Sequence, residues 1–116
     1  MSSDAASLLD IADCARAAIS YIEGLDEASF LKDRKTQKAV ICEIQIIGEA
    51  TKRLSNEFRQ AHPQIPWTVI AGTRDKLIHD YDQVNLELIW SVVSKDLPLL
   101  LKQLEPLLPP APGADS

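Results

Sequence analysis

The sequence predicts an all-α protein folded as an antiparallel bundle of four to five helices, and three observations support this. Apolar residues recur at spacings of three and four along most of the chain, which is the period of amphipathic helices. Strand-like alternation is almost absent. Pro and Gly residues separate the periodic segments by short loops, and short loops favour antiparallel neighbours.

The chain length indicates one domain. Its 116 residues fit a single hydrophobic core, and we assign the helical domain to residues 1–108. The tail, residues 109–116, consists mainly of Pro and small residues and lacks apolar bulk. We therefore expect this tail to be disordered.

The first two main helices carry clear start and stop signals. Ser3 or Asp4 is predicted to cap the first helix, and Gly24 is its predicted C-terminal stop. After a short turn at residues 27–31, a long helix is predicted over residues 33–57. Its Gly48 costs about 1 kcal/mol relative to Ala, which indicates a close approach between helices. The residues predicted to face the core are Leu8, Ile11, Ala12, Ala15, Ile19, Ile22, Val40, Ile41, Ile44, Ile47 and Leu54.

A proline-containing loop precedes the third predicted helix. Pro63 and Pro66 break the chain, and Trp67 begins a helix that extends to about Asp80. His62, which stands before Pro63, is more readily explained as a turn residue than as a ligand.

The fourth predicted helix is capped by Asn85. Pro98 should kink or restart it, because proline has no N–H for the preceding turn. Trp67 and Trp90 lie beside apolar helical positions and are predicted to be structural. The inward residues of this helix are predicted to be Leu86, Ile89, Val93, Leu97, Leu100, Leu101 and Leu104.

Charge is unevenly distributed along the chain. The formal net charge of -5 argues against a generic nucleic-acid coat protein, which would usually be basic. Residues 32–59 nevertheless carry seven Lys or Arg against four acids, whereas both flanking segments are net negative. We therefore expect any anionic partner at this middle segment. For any single one of these charges, a solvated helix face is an equally good explanation.

Composition also restricts the chemistry. Cys14 and Cys42 are the only cysteines, and both fall in predicted helices as small apolar residues, which fits a reducing cytosol. The sequence contains neither the Glu-x-x-His of di-iron bundles nor a G-x-x-x-x-G-K phosphate loop, so we predict no cofactor. It shows no N-terminal targeting signal and no apolar run long enough for a bilayer. We expect a soluble, cytoplasmic protein.

Residues 74–81 are the most informative segment for function, because they read R-x4-H-x-Y. A guanidinium is always charged and can hold two phosphate oxygens, and an imidazole can transfer a proton near neutral pH. RNA cleavage without a metal needs proton transfer at the 2′-hydroxyl and the 5′-oxygen, and it needs the phosphorane charge to be stabilised. We therefore predict Arg74 and His79 as catalytic, with the acid or base role of His79 left open.

The spacing of the motif has a geometric consequence. On a helix, residues five apart differ by about 140° and residues seven apart by about 20°. Arg74 and Tyr81 therefore share a face if the helix persists to Tyr81, whereas His79 points elsewhere. Asp75 lies four residues before His79 and can fix the imidazole tautomer through a hydrogen bond. Arg74 and His79 converge only if Arg74 curls round, if the helix loosens near His79, or if a second subunit contributes.

The motif stands within a longer pattern. Upstream are I-G-E-A-T-K-R-L-S at residues 47–55 and H-P-Q-I-P-W at residues 62–67, and downstream are V-N-L-E at residues 84–87 and Trp90. This order, over roughly Leu8 to Leu108, resembles the HEPN-domain ribonuclease toxins of the HepT type. The resemblance implies a HEPN helical bundle, metal-independent endoribonuclease activity and a homodimer or higher oligomer with a composite cleft at the subunit interface.

The same resemblance implies a partner. Toxins of this type pair with a minimal nucleotidyltransferase antitoxin of the MntA type, in a type VII-like system, and the antitoxin transfers AMP groups onto the motif Tyr, here Tyr81. Each added nucleotide would bring bulk and negative charge to the face of Arg74 and repel RNA. Lys52 and Arg53, in the basic segment, and Lys76, within the motif, are the candidates for RNA binding.

Two alternatives compete with this hypothesis. The chain could be a non-catalytic HEPN adaptor that binds nucleotide or RNA and accompanies the transferase, or a purely structural bundle. A lone helical His is more often an ordinary polar residue, Arg74 could pair with Asp75, and Tyr81 could be a core aromatic. An adaptor, however, has no need to retain Arg74, His79 and Tyr81 together, which favours the enzyme.

Overall fold

The computed structural model describes residues 3–79 and 85–109, with the side chains of residues 4–73 and 85–109. All regular secondary structure in these ranges is helical, which confirms the predicted all-α class. The first part of the chain forms α1 (Ser3–Tyr21), α2 (Glu27–Phe30), α3 (Arg34–Lys52), α4 (Asn56–Ala61) and α5 (Trp67–His79). The last part forms α6 (Leu86–Ser91), a π turn (Val92–Asp96), α7 (Leu97–Leu104) and a 3-10 turn (Glu105–Leu107).

Helix α1 ends where the sequence predicts, but its start differs. Gly24 has a φ of 79°, a left-handed conformation that glycine adopts without a Cβ clash, and it lies three residues after Tyr21, in the turn that follows the helix. Asp4 lies inside the first turn of α1, and its carboxylate binds Ser55. The side chain therefore joins two parts of the chain, and the cap predicted for it is not its observed contact.

The long helix predicted over residues 33–57 is interrupted. Helix α3 ends at Lys52, and Ser55 caps the separate helix α4 by accepting a hydrogen bond from the N–H of Phe58 at 3.1 Å. At the other end of α3, Asp33 is the cap and accepts from the N–H of Thr36 at 3.1 Å. A serine side chain offers the backbone this alternative to helix continuation, which is why the helix breaks at residue 55.

The loop before α5 is held by aromatic packing. The ring of Phe58 lies 4.6 Å from the ring of His62 and 5.9 Å from that of Trp67. Trp67 is buried, and its Nε1 donates a hydrogen bond to the carbonyl oxygen of His62 at 3.0 Å. The predicted structural role of Trp67, the start of its helix and the turn position of His62 are confirmed.

The final helix restarts at its proline. Asn85 caps α6 through a hydrogen bond from the N–H of Leu88 at 3.1 Å, as predicted. The N–H of Leu97 donates to the carbonyl of Val92, five residues back, and Pro98 then falls in the first turn of α7, where its missing N–H is tolerated. The half-buried Trp90 packs against Phe30, with their ring centroids 5.3 Å apart, so it is structural as well.

Helix α3 lies at the centre of the bundle and packs against both α1 and α5. Tyr21 and Glu43 pair at one end of the α1–α3 contact and Asp10 and Arg53 towards the other, so these helices are antiparallel. A fully buried Leu or Ile stabilises the fold by roughly 1.5–3 kcal/mol. The predicted core residues that are buried are Leu8, Ile11, Ala12, Ala15, Val40, Ile44, Ile47, Leu54, Ile89, Val93, Leu97, Leu100 and Leu104. Ile19, Ile22, Ile41, Leu86 and Leu101 are half-buried.

Three predictions concern residues outside those that the structure describes. They are the end of the third predicted helix at Asp80, the position of Tyr81 and the disorder of residues 110–116 in the tail.

The buried position of Gly48 in α3 fits the close approach predicted there. Cys42 differs from its predicted role as a small packed residue, because it is exposed on α3, whereas Cys14 is half-buried.

Candidate active site

Helix α5 carries four of the predicted site residues in its C-terminal half. Arg74, Asp75, Lys76 and His79 all have helical backbone, and the helix is continuous from Trp67 through His79. A continuous helix separates Arg74 from His79 by about 140° around the axis, as predicted. No loosening between Arg74 and His79 brings them together. The routes that remain are a long reach by one side chain and a second subunit.

The N-terminal half of α5 borders an apolar groove. This groove has a volume of about 440 Å³ and lies between α3, α5 and the π turn and α7 that follow α6. Ile44 and Ile47 line it from the C-terminal half of α3, and Pro66 and Ile70 line it from the start of α5. The ring of Trp67, at the start of α5, contacts that of Phe58, which follows the C-terminal end of α3, so α5 runs back along α3 in the antiparallel direction.

This arrangement determines which part of α3 lies beside the motif. Ile44, Ile47 and Thr73 line the same groove. With a rise of 1.5 Å per residue, the backbone of His79 lies about 9 Å further along α5, towards the N-terminal end of α3. The motif half of α5 therefore lies alongside the N-terminal half of α3.

The fold places the three predicted RNA-binding residues in two separate regions. Lys76 lies on α5, within one turn of His79. Lys52 and Arg53 are exposed at the C-terminal end of α3, and the motif half of α5 points towards the opposite end. Arg53 also pairs with Asp10 of α1, with 3.3 Å between its Nη2 and a carboxylate oxygen. Within one subunit, the fold does not bring Lys52 and Arg53 to the motif.

A family match is found once the sequence is compared with known proteins. Residues 11–107 match the ribonuclease HepT-like family. The chain belongs to this family. It is therefore a ribonuclease of the HepT type with the HEPN helical bundle, as the sequence pattern indicates. The match spans the core helices and the whole R-x4-H-x-Y segment.

Curated relatives of this HepT-like chain are similar over nearly their whole length. It is 41% identical to "Putative RNase MJ0127" of Methanocaldococcus jannaschii, over 95% of this chain and 91% of the relative. It is 43% identical to "Putative RNase TTE0752" of Caldanaerobacter subterraneus subsp. tengcongensis, over 78% of this chain and 80% of the relative. It is 42% identical to "Probable ribonuclease HepT" of Thermococcus cleftensis, over 86% of this chain and 91% of the relative. No solved structure matches the chain.

A second set of reactive groups lies on the α1–α3 contact, away from the motif. The phenol of Tyr21 donates a hydrogen bond to the carboxylate of Glu43 at 2.8 Å, which raises the pKa of Tyr21. Burial and the neighbouring Glu43 raise the pKa of the Cys14 thiol to about 12. In this HepT-like chain the thiol of Cys14 is therefore neutral, and the phenol of Tyr21 is already engaged.

Sequence reasoning missed one group of charged residues. Lys32, Arg34, Lys35 and Lys38 are all exposed at the N-terminal end of α3, the end that lies beside the motif half of α5. The intervening Asp33 is engaged as the helix cap. Four cations within seven residues are visible in the sequence, but only the packing direction of α5 distinguishes this end of the basic segment from the other.

Two further properties concern only the residues that the structure describes. No three His, Cys, Asp or Glu side chains of residues 4–73 and 85–109 are grouped so that they could hold a metal ion. Across the described helices, none combines the length and the apolar character that a membrane span requires.

Proposed function

We propose that this chain is a metal-independent endoribonuclease and the toxin of a type VII-like toxin–antitoxin pair. The observation that carries the proposal is a complete R-x4-H-x-Y segment in a chain of the ribonuclease HepT-like family. The part of the segment from Arg74 to His79 stands on a continuous helix, and this supports fixed relative positions of the backbone of these two residues. A cytoplasmic location goes with the proposal, since Cys14 and Cys42 are free thiols and fit a reducing compartment.

Arg74 and His79 divide the chemistry between them. The 2′-hydroxyl oxygen of the RNA attacks the adjacent phosphorus and loses its proton, and the bond to the 5′-oxygen breaks as that oxygen gains a proton. His79 carries out one or both proton transfers, because an imidazole can take up and release a proton near neutral pH. Arg74 holds two phosphate oxygens and stabilises the charge that develops on them. Asp75, one turn before His79, orients the imidazole.

A homodimer completes the site. Because Arg74 and His79 diverge on the continuous helix, we assign the missing group to a second copy of the chain. Exposed apolar side chains lie at the edge of the apolar groove: Val69, on α5, is 67% exposed, and Leu99, on α7, is 58% exposed. Their burial against a second copy would favour association and would place two α5 helices near the two-fold axis.

A nucleotidyltransferase antitoxin controls the enzyme in this proposal. It transfers AMP from ATP onto the phenol of Tyr81, two residues after His79. The added phosphate carries negative charge to the Arg74 side of the helix, where it competes with the RNA phosphate. RNA cleavage and its inhibition would thus depend on the same short segment.

The test compares the two histidines of the chain. The wild type and His62→Phe, which keeps the ring that packs on Phe58, should cleave RNA in the presence of EDTA. His79→Ala should lose cleavage while its helical circular dichroism is unchanged. Arg74→Ala should lose most activity, and Arg74→Lys should recover little, because a point charge cannot replace the planar fork.

Two results would contradict the proposal. Loss of wild-type activity in EDTA would make the enzyme metal-dependent. RNA binding by the wild type and His79→Ala without cleavage by either would support the non-catalytic adaptor instead.

A further inference from the structure

The N-terminal end of α3 has an unusual charge distribution for a helix. Lys32 precedes the helix, Arg34 and Lys35 occupy its first two positions, and Lys38 follows one turn later. The first turn of α3 contains no acidic residue, and the one acid at this end is the capping residue Asp33. Cations at a helix N-terminus oppose the helix macrodipole and destabilise the helix. Helix stability therefore does not account for these four residues, and a function in binding is the better explanation.

Arg34 and Lys38 are the least neutralised of the four. Lys32 lies near Asp26 and Lys35 near Asp33, and each lysine lowers the pKa of its neighbouring carboxyl group. Among residues 4–73 and 85–109, neither Arg34 nor Lys38 has an ion-pair partner. Since they are four residues apart on the helix, their side chains emerge from the same strip of the surface.

Arg34 lies on the side of α3 nearer to α5, and Lys38 lies next to it on the exposed face. Around the helix axis, Arg34 is about 80° from Ile44, which lines the groove next to α5, and about 180° from Glu43, which contacts α1. Lys38 is about 120° from Ile44 and about 140° from Glu43, and its side chain is exposed. Both residues belong to the N-terminal half of α3, which lies alongside the motif half of α5.

We propose that Arg34 and Lys38 form a binding surface for the phosphodiester backbone of the RNA substrate, next to the catalytic helix. The inference rests on the proposed ribonuclease function. It extends that function to residues that bind the RNA away from the phosphodiester bond that is cleaved. Lys32 and Lys35 flank the surface and contribute longer-range attraction. In an acidic protein with a net charge of -5, such a local surface directs a polyanion to the motif and away from the rest of the molecule.

The composition of the surface favours RNA over an acidic protein. Protein–protein interfaces are depleted in Lys and centred on apolar or aromatic anchors. Surfaces that bind nucleic acid are rich in Lys and Arg, and most of their hydrogen bonds reach phosphate oxygens. Three lysines and one arginine at seven positions match the second pattern.

The experiment measures RNA binding and its salt dependence with cleavage switched off. The probe is a fluorescently labelled single-stranded RNA of mixed sequence, and all variants carry His79→Ala so that the RNA stays intact. Arg34→Ala/Lys38→Ala is compared with Lys95→Ala/Lys102→Ala, which removes the same charge from two exposed positions, one in the π turn and one in α7. All four substitutions place alanine, the best helix former, at exposed sites.

We expect the Arg34→Ala/Lys38→Ala pair to weaken Kd about tenfold at low salt and to make the slope of log Kd against log salt shallower by about 1.4, the release of two counterions from a single strand. The Lys95→Ala/Lys102→Ala control should change neither quantity appreciably. With His79 restored, the Arg34→Ala/Lys38→Ala enzyme should have a raised KM and a nearly unchanged kcat, since the surface binds RNA and takes no part in the proton transfers.

Several results would overturn the inference. Equal losses in both double variants would assign the effect to net charge, and unchanged RNA binding in Arg34→Ala/Lys38→Ala would remove the surface from RNA recognition. If that variant lost binding only to the neighbouring transferase, the surface would belong to the protein partner. In these cases RNA cleavage by the wild type would still support the proposed function. Salt-dependent RNA binding through Arg34 and Lys38, without cleavage by the wild type, would instead support the binding surface and contradict the proposed ribonuclease activity.

Discussion

The carboxylate of Asp4 accepts hydrogen bonds from both the backbone N–H and the hydroxyl of Ser55, at 2.8 and 2.7 Å. The same serine caps α4 by accepting from the N–H of Phe58. One residue thus connects the first turn of α1 to the corner between α3 and α4. This corner leads into the loop that positions the start of α5, so the contact supports the helix that carries the motif.

Removal of the Asp4 carboxylate should loosen this corner. We expect Asp4→Ala to lower Tm by a few degrees and to speed amide hydrogen exchange in residues 55–67, because Ser55 loses its acceptor. Asp10→Ala is the matched control, since it removes another α1 aspartate whose partner, Arg53, lies near the same corner. That pair is more than half exposed and should contribute little. Equal effects of both variants would contradict a special role for Asp4.

The stability difference between the wild type and Asp4→Asn should depend on pH. The hydrogen bonds from Ser55 hold the pKa of Asp4 below its usual value of 3.8. A lowered carboxyl pKa stabilises the fold above the unfolded pKa, and this stabilisation is lost as pH falls through the folded pKa. Thermal unfolding measured from pH 7 to pH 2 should therefore show the largest difference above about pH 5 and a shrinking one in acid. A constant difference would mean that charge is not involved.

The two thiols should differ strongly in reactivity. With a pKa of about 12, Cys14 is almost entirely protonated at pH 8, whereas Cys42 is exposed. Only the thiolate reacts, so we expect an alkylating reagent to modify Cys42 at least about a hundred times faster than Cys14. Glu43→Gln should speed labelling of Cys14, since the carboxylate contributes to its raised pKa. Mass spectrometry of peptides over time gives both rates, and equal rates would contradict the assignment.

The proposed dimer should be sensitive to the edge of the apolar groove. Light scattering should give about twice the chain mass of 12.8 kDa. Val69→Glu introduces charge at a residue that is 67% exposed and should produce monomers with little RNA cleavage. Leu9→Glu places the same charge at an exposed leucine of α1 and should leave the dimer intact. A monomer that cleaves RNA at full rate would show that no composite site is needed.

The proposed control by AMP transfer should depend on one of the two tyrosines. Incubation with the transferase of the neighbouring gene and ATP should add AMP-sized mass to the wild type, with a parallel fall in RNA cleavage. Tyr81→Phe keeps the ring, loses the nucleophile and should escape modification. Tyr21→Phe is the control and should be modified normally, because the Tyr21 phenol is already bound to Glu43. An adduct on Tyr81→Phe would move the modification elsewhere.

The sequence predicts local features of this fold better than its long-range ones. Caps such as Asn85 and stops such as Gly24 act over a few residues, so their signals are complete within the segment. The break before Ser55 was missed because a periodic apolar pattern continues through Leu54, and the contact with Asp4 spans 51 residues. For the same reason, the sequence shows that residues 32–59 are basic but cannot show which end lies beside the motif.

Cys42 and the motif residues illustrate the same distinction. The identity of Arg74, His79 and Tyr81 can be read from their spacing, because the chemistry depends on residue type. The exposure of Cys42 cannot be read from the sequence. A small residue near the edge of an apolar stripe is buried or exposed according to where the neighbouring helix lies.

The π turn at Val92–Asp96 determines how the last helix responds to inserted or deleted residues. The turn holds one residue more than an ordinary α-helical turn, so it shifts the phase of everything that follows. The helix can therefore present α6 to α2 and α3 and then present α7 to α1. A single-residue deletion there would restore a regular α-helix and leave Leu97, Leu100 and Leu104 facing the core. A deletion in a regular turn before Leu97 would instead rotate these three leucines by about 100° away from the core. The five positions of the π turn should thus tolerate the loss of one residue better than the regular turns of the same helix.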